Sequence, residues 1–395
     1  MDKQKKKLVL TIFIVALVQM PNLALTPGIN QIKTTAFTDY SLGMVQTALA
    51  FSSLAQPIAA FCASILINKG IVTKKAVIIF GLCFLAADGI LAVLLHTEFW
   101  HLIVLSIVLG ASTGCFVSNV FGLIFDYFEP LERQSITGYQ SSIINVGGIM
   151  MSLLGGLLAT YIWYGGYLIL LIGLPAAALV CFTVPNHKIT ATHREGKKSL
   201  KKLNPRIYYY CAVAFLFMIT YTACGNNLST HIAGIGNSAI SGIAVAFQMG
   251  GGVVSGIFFS KLSGKLGDYS LSIALCAVFL GYMILSLFPM SLVLTFVAVF
   301  IVGLSLSIML PRCIFVVSTL VDDPATSATA TALMTIAAPS LGSFMSPIVI
   351  TNITTALFGE STVARYRFAG FFVLALAVII AIFTTRNKRK QKNVT

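Results

Sequence analysis

The sequence contains few charged residues for its length. Only 10% of its 395 residues are Asp, Glu, Lys or Arg, and Asp and Glu together number 12. The chain is 57% hydrophobic, with a mean hydropathy of +0.92. This composition is not that of a soluble globular protein, and it is typical of a polytopic α-helical membrane protein.

Sequence motifs for nucleotide binding, thiol redox chemistry and metal binding are also missing. No GxxxxGK[ST] phosphate-binding loop occurs, so the chain is not expected to hydrolyse a nucleotide. The eight cysteines form no CxxC motif, and the five histidines have no metal-ligand spacing. We therefore expect no enzyme activity, no cofactor and no metal site, and we interpret the cysteines as small packing residues with free thiols.

Apolar runs of membrane-spanning length dominate what remains. The basic N-terminus, MDKQKKK, leads into the first run without a signal-peptide cleavage site, so we interpret that run as a span. Twelve spans are predicted. They cover residues 8–28, 41–66, 74–96, 99–125, 139–161, 164–184, 207–231, 237–260, 269–289, 291–318, 326–356 and 365–384.

The basic residues gather at one side of these spans. Of the 26 Lys and Arg residues, only Lys33, Arg365 and Arg367 fall on the other side, and Arg312 lies within a span. By the positive-inside rule both termini are cytoplasmic, and we expect a multi-pass protein of the cytoplasmic membrane. The net charge of +14 is then explained without a nucleic-acid partner.

The second half of the chain repeats the plan of the first. A shift of 193 or 194 residues places Gly110 on Gly303 and Asn119 on Arg312, and it aligns the basic turns that follow spans two and eight. Such internal repeats are typical of secondary transporters. We predict six-helix halves at 1–185 and 207–395, joined by a cytoplasmic linker at 186–206.

Two charged residues, Asp88 and Arg312, lie within predicted spans away from the span ends. Asp88, in span three, is the only acidic residue well inside a span, which makes it a candidate proton carrier or a packed protonated group. Arg312, in span ten, has no acidic neighbour along its own helix. It either pairs with a carboxylate of another helix, reaches the inner interface, or binds an anionic substrate.

Together these features resemble the major facilitator superfamily. The resemblance covers essentially the whole chain and rests on twelve spans in two halves, the basic turns, the central linker and the string NVGGIMMSLLGG in span five. It implies a monomeric carrier that works in the lipid bilayer on a small-molecule substrate by alternating access. The glycine spacing of span five is similar to that of proton-driven exporters, without their central Gly-Pro.

The superfamily's loop signature between spans two and three is altered. Asn68 stands where the family has an acidic residue, followed by Lys69, Lys74 and Lys75, and Asp126 at the end of span four is the acid that we expect these lysines to meet. The resemblance therefore implies a set of gating charges. Its members are Lys69, Lys74, Asp126 and Arg133.

The resemblance also implies which spans line a central site. The polar residues of those spans are our substrate-binding candidates: Asn22, Asn119, Asn145, Asn227, Gln248 and Arg312. Many amides with few acids fit neutral or anionic amphipathic molecules better than polycations. The first hypothesis is proton-coupled efflux of amphipathic compounds, and the second is an organic-anion carrier that uses Arg312. A lipid flippase and a non-transporting membrane receptor are alternatives of another class.

Overall fold

The structure is a computed structural model that describes residues 3–185, 204–321, 330 and 332–392. Throughout these ranges the chain is helical, with no strand. Eleven of the described helices are long and apolar enough to cross a membrane, and they correspond in order to predicted spans two to twelve. The all-α polytopic fold predicted from the sequence is confirmed.

The first predicted span is not one continuous helix. Helix α1 (Lys3–Ala16) ends ahead of Pro21, which has no backbone N–H to donate. The chain then continues as α2 (Asn22–Leu25), a 3₁₀ turn (Thr26–Gly28), α3 (Ile29–Gln31) and a π-helical turn (Ile32–Ala36). Since Pro27 lies within the 3₁₀ turn, both prolines coincide with departures from regular α-helix.

By its internal contacts the chain divides into two compact units. The first unit comprises Met1–Lys197 and Asn237–Ile243, and the second comprises Lys198–Gly236 and Ala244–Thr395. The predicted halves at 1–185 and 207–395 and the linker at 186–206 stay a prediction, and residues 186–203 of that linker lie outside the described ranges.

The first unit is built from long helices. Its further helices are α4 (Leu42–Asn68), α5 (Lys74–Leu94), α6 (Phe99–Tyr127), α7 (Pro130–Ala159), α8 (Gly165–Leu168), a 3₁₀ turn (Ile169–Ile172) and α9 (Gly173–Thr183). Helix α6 packs on α4 and α5, and α5 also packs on α9. Leu82, Leu85, Phe116 and Tyr167 lie fully buried in the core between them.

The second unit follows the same plan. Its helices are α10 (Pro205–Ile232), α11 (Ser238–Leu266, whose first residues belong to the first unit), α12 (Tyr269–Leu287), α13 (Leu292–Thr319), α14 (Ala338–Ser346), α15 (Ile353–Phe358) and α16 (Thr362–Lys392). Two π-helical turns, Leu333–Ala337 and Pro347–Asn352, interrupt the predicted eleventh span. Helix α12 packs on α13 and α16, and α10 packs on α13 and α14.

Matching glycines bring helix backbones together in both units. A Cβ atom at Gly110 of α6 would collide with the backbone carbonyl of Ser52 in α4, and one at Gly303 of α13 would collide with that of Gln248 in α11. These are the two glycines that the shift of the chain superimposes. The repeat seen in the sequence is therefore also a repeat of contacts, in which small residues allow close helix packing in lipid.

The turns also repeat. Gly70, between α4 and α5, has a φ of 69°, and Gly267, between α11 and α12, has a φ of 57°. Both angles lie in the left-handed region that glycine adopts without steric cost. A third glycine of this kind, Gly359 with a φ of 71°, turns the chain between α15 and α16.

Candidate functional site

An ion pair joins the start of α5 to the end of α6. Lys74 Nζ lies 2.6 Å from Asp126 Oδ2, with 21% and 34% of the two side chains exposed. The Thr73 side chain accepts a hydrogen bond from the N–H of Ala76 and so fixes the first turn of α5. Gly122 leaves room for the lysine, because a Cβ there would lie 3.2 Å from Lys74 Nζ. We call this contact the first ion pair; it brings together two predicted gating residues.

Further polar contacts surround the α6–α7 turn. Lys5 Nζ lies 3.2 Å from Glu132 Oε2, and the hydrogen bond from Lys5 holds the pKa of the Glu132 carboxyl below its usual value. Arg133, a predicted gating residue, donates from Nε to the carbonyl oxygen of Phe128 at 2.6 Å. Lys69 is exposed at the end of α4, and the role of the four residues as gating charges stays a prediction.

The second unit has its own ion pair at the start of α12, the helix that matches α5 in the repeat. Arg312 of α13 donates from Nε and Nη2 to Asp268 Oδ1 at 3.0 and 2.8 Å. Nη1 donates to Ser263 Oγ at 3.1 Å, and the Tyr210 hydroxyl donates to Asp268 Oδ2 at 2.7 Å. We call Arg312–Asp268 the second ion pair. Of the three alternatives that the sequence left open for Arg312, the structure shows the pairing with a carboxylate from outside its own helix.

Sequence reasoning missed Asp268, although a signal for it was present. The shift of 194 residues that relates the halves places Asp268 on Lys74. Each ion pair therefore includes the residue at the start of the first helix of its hairpin. That residue is basic in the first unit, Lys74, and acidic in the second, Asp268.

The amide candidates of the first unit differ in burial. Asn119 is mostly buried and donates from Nδ2 to the carbonyl oxygen of Cys115 at 2.7 Å. Asn145, which is half-buried, donates to the carbonyl oxygen of Ser141 at 3.0 Å. Asn22 is half-buried where α2 begins. In Asn119 and Asn145 the carbonyl oxygen of the amide is not used by these bonds, and their role as substrate ligands stays a prediction.

The amide candidates of the second unit are more deeply buried. Asn227 is fully buried and donates to the carbonyl oxygen of Ala223 at 3.0 Å and to Thr351 Oγ1 at 3.3 Å. Gln248 is also buried, in the helix against which Gly303 packs. The bond to Thr351 ties α10 to the π-helical turn at Pro347–Asn352, so Asn227 stabilises an irregular part of the predicted eleventh span.

Asp88 lies in the interior of the first unit. Its side chain is fully buried in α5, and neither carboxylate oxygen has a hydrogen-bond partner among the described residues. The fully buried Tyr167 lies within electrostatic range. A charged carboxylate in such a place, with no cation paired to it, is costly, which makes Asp88 unlike a structural ion-pair residue.

Two glutamines without partners were also missed. Gln19, at the interruption after α1, and Gln140, in α7, are buried, and neither the amide nitrogen nor the amide oxygen of either side chain has a hydrogen-bond partner in the described structure. Buried polar groups of this kind are rare in native proteins and often mark a site that binds a further molecule. Helices α1 and α2, on either side of Gln19, both pack on α7.

An open apolar groove lies on the second unit between α10 and the predicted eleventh span. It has a volume of about 250 Å³. Its lining residues are Tyr208, Cys211, Ala212, Phe215, Leu333, Ala337, Ala338 and Leu341. A wall of this composition fits a hydrocarbon or aromatic group.

These features define a polytopic helical membrane protein with ion pairs at matching hairpins and isolated polar groups in an apolar interior. The sequence pattern of the Major Facilitator Superfamily matches residues 8–347. The chain belongs to this superfamily and is accordingly a transporter that works in the bilayer, rather than an enzyme. No curated protein sequence matches it.

Solved structures with the same fold include two transporters. A mutant of the nucleoside transporter NupG superposes with a TM-score of 0.77 at 14% identity, covering 95% of this chain and 99% of that one. A bacterial homolog of the human lysosomal transporter Spinster, in an inward-facing and occupied conformation, gives a TM-score of 0.73 at 14% identity, covering 97% and 96%. At these identities the likeness shows the fold alone.

Proposed function

We propose that this protein is a secondary active transporter that exports a small amphipathic molecule across the cytoplasmic membrane by alternating access, driven by the proton gradient. The observation that carries the proton-coupled part is Asp88. A buried carboxyl with no hydrogen bond and no paired cation changes its charge only when water reaches it. Such a group binds a proton in one conformation and releases it in another.

The packing beside Asp88 supports a change in its access to water. Asp88 precedes Gly89, where a Cβ would lie 2.7 Å from the carbonyl oxygen of Tyr167. The backbones of α5 and of the α8 segment are therefore in close contact beside the carboxyl. A small displacement of either segment would open or close access to Asp88, because no bulky side chain separates them.

The proposed substrate class follows from the other polar and apolar groups. The neutral candidate ligands are Asn22, Asn119, Asn145, Asn227 and Gln248. The open groove between α10 and the predicted eleventh span offers an apolar surface. A neutral molecule with one apolar end uses both kinds of group. Nucleosides belong in the test panel because one structural neighbour transports them.

The first experiment identifies a substrate and then tests coupling. Purified protein is screened by thermal stabilisation against neutral amphipathic drugs, nucleosides, organic anions and cations. Everted membrane vesicles with an acidic interior then report whether the best ligand accumulates inside, as export requires. Proteoliposomes carrying wild type, Asp88→Asn or the matched control Asp39→Asn, an exposed acid outside the spans, complete the set.

We expect Asp88→Asn to abolish accumulation driven by a pH gradient while exchange of labelled for unlabelled substrate continues. Asp39→Asn should behave as wild type. Concentrative transport that persists in Asp88→Asn would remove Asp88 from the coupling mechanism. Absence of any vectorial movement of a bound ligand would instead favour the receptor alternative, and scrambling of labelled lipid would favour the flippase.

The organic-anion alternative depends on Arg312. Its guanidinium already donates to Asp268 and Ser263, so the structure offers no observation that favours it as a substrate ligand. Stabilisation by organic anions that disappears in Arg312→Ala, and not in Asp268→Asn, would revive that alternative.

A further inference from the structure

A buried arginine lies where the last helix begins. Arg365 is in the first turns of α16, and only 1% of its surface is exposed. The left-handed Gly359 reverses the chain after α15, and the Ser361 side chain accepts a hydrogen bond from the N–H of Ala364 at 3.3 Å. This turn brings Arg365 back against α15, where Nη2 donates to Thr355 Oγ1 at 3.1 Å.

The guanidinium of Arg365 has too few partners for its charge. Its Nε is buried and has no hydrogen-bond acceptor among the described residues. The ion pairs of the described structure join Lys5 to Glu132, Lys74 to Asp126 and Arg312 to Asp268, and none includes Arg365. The nearby carboxyl that influences it, Glu360, is itself exposed on the turn.

The backbone adds to the positive charge at this point. The first N–H groups of a helix are not used within it, and the helix dipole places partial positive charge at the same end. Arg365 therefore lies at a helix N-terminus that already favours an anion. A buried cation in that position, with an N–H group left without an acceptor, is expected to be strongly unfavourable unless a negative group joins it.

Polar groups of the second unit lie close by. The hydroxyl of the buried Tyr366 has no hydrogen-bond partner among the described residues and lies within electrostatic range of Arg365. The Tyr366 ring packs on that of His231 with centroids 5.4 Å apart, and His231 Nε2 lies 3.4 Å from Thr295 Oγ1. Two donors without acceptors, an N–H and an O–H, are thus carried by consecutive residues.

We propose that Arg365, together with the N-terminal turn of α16, binds a small monovalent anion within the second unit. The ligand chemistry is that of chloride or of a single carboxylate group. The Arg365 guanidinium makes one side-chain hydrogen bond in the described structure, from Nη2 to Thr355, and keeps N–H donors, Nε–H among them, for a compact acceptor of one charge. The proposal is independent of Asp88, of Arg312 and of the direction of transport.

The test compares the thermal unfolding of purified protein in chloride and in gluconate, a bulky anion, at equal ionic strength. Unfolding is measured by the loss of the helical circular dichroism signal. For wild type we expect chloride to raise Tm by about 2 °C or more relative to gluconate, since a ligand that binds only the folded state stabilises it. Formate and acetate serve as carboxylate probes. A response to these but not to chloride would identify a carboxylate as the ligand, and the reverse would identify an inorganic anion.

Arg365→Gln is the informative variant, and Arg367→Gln, two residues further along α16 and exposed, is its matched control. We expect Arg365→Gln to lose the anion response and, in gluconate, to be at least as stable as wild type, because the substitution removes an uncompensated buried charge. The order of stability of the two proteins then reverses between the two salts. An arginine that only packs and donates to Thr355 would make the variant less stable in both.

Three results would overturn the proposal. One is a wild-type Tm that does not differ among the anions. Another is an anion response that survives in Arg365→Gln. The third concerns Glu360: if Glu360→Gln becomes sensitive to chloride while wild type is not, the carboxylate of that residue is the counter-ion and no external anion is required.

Discussion

The first and second ion pairs occupy equivalent hairpins but interact differently with their helices. In the first unit Lys74 begins α5 and Asp126 lies in the last turn of α6. The helix dipole is positive at a helix start and negative at a helix end, so each charge has an unfavourable interaction with the dipole of its own helix. In the second unit Asp268 occupies the N-cap position of α12, without a side-chain capping hydrogen bond, and a negative charge is favoured there. The repeat keeps the helix-start position of the pair with its charge reversed, whereas the partner charge lies elsewhere, since Arg312 matches Asn119 and not Asp126. The two pairs should therefore differ in strength.

The contacts point in the same direction. The second pair has two nitrogen atoms of one guanidinium on a single carboxylate oxygen, with tyrosine and serine hydroxyls around it. The first is a single contact from an ammonium group. The arginine is also less exposed than the lysine, at 15% against 21%. We infer that the second pair is the stronger of the two.

The largest expected effects test the equivalence itself. Replacing Gly110 or Gly303 by alanine places a methyl group against a backbone carbonyl of the neighbouring helix, and each change should cost about 2–3 kcal/mol of stability. Gly250→Ala is the matched control, because nothing lies within 4 Å of a Cβ there. Thermal unfolding of the three variants checks this. A harmless change at one of the two equivalent glycines would show that the units do not pack alike.

A smaller effect is expected at the second ion pair. Arg312→Ala leaves the partly buried Asp268 carboxylate with the Tyr210 hydroxyl alone, and we expect a loss of about 2 kcal/mol. Asp268→Asn should cost less, since the amide still accepts a hydrogen bond. A double-mutant cycle on the two residues measures the coupling. A coupling energy near zero would contradict the inference that this is the stronger pair.

The smallest effect is expected at the first ion pair. Lys74→Ala should cost about 0.5–1 kcal/mol, in the range of partly exposed ion pairs. The reversed pair, Lys74→Asp with Asp126→Lys, should recover this loss and exceed wild-type stability by roughly 0.5 kcal/mol, because both charges then agree with their helix dipoles. The free energies of unfolding of the single and double variants, compared with that of wild type, test this prediction. Failure of the reversed pair to recover stability would remove the dipole argument.

Much of the fold was predictable because it depends on hydrophobic length. The predicted span 74–96 is α5, Lys74–Leu94, and the predicted span 269–289 is α12, Tyr269–Leu287. The bilayer sets the number of apolar residues that a helix needs, so span positions follow from composition alone. The interruption of the first predicted span was foreshadowed by Pro21 and Pro27, although its 3₁₀ and π-helical turns were not.

The site was less predictable because its contacts cross between helices. The pairing of Lys74 with Asp126 was predicted, since a family signature pointed to it. The partner of Arg312 was not, because no family signature pointed to Asp268 and it lies outside the helix of Arg312. The burial of Arg365 was not predicted, because the positive-inside rule assigned this residue to an outer segment. Only the turn at Gly359 brings Arg365 back against α15.

The reversed polarity of the two ion pairs has a consequence for assembly. Because the halves are built alike, a nascent chain offers each hairpin helix a second partner of similar shape. Packing α5 against α13 would bring Lys74 to Arg312, and packing α12 against α6 would bring Asp268 to Asp126, so both wrong combinations place like charges together. Opposite polarity in the two hairpins thus lets a duplicated architecture distinguish its own helices while it folds.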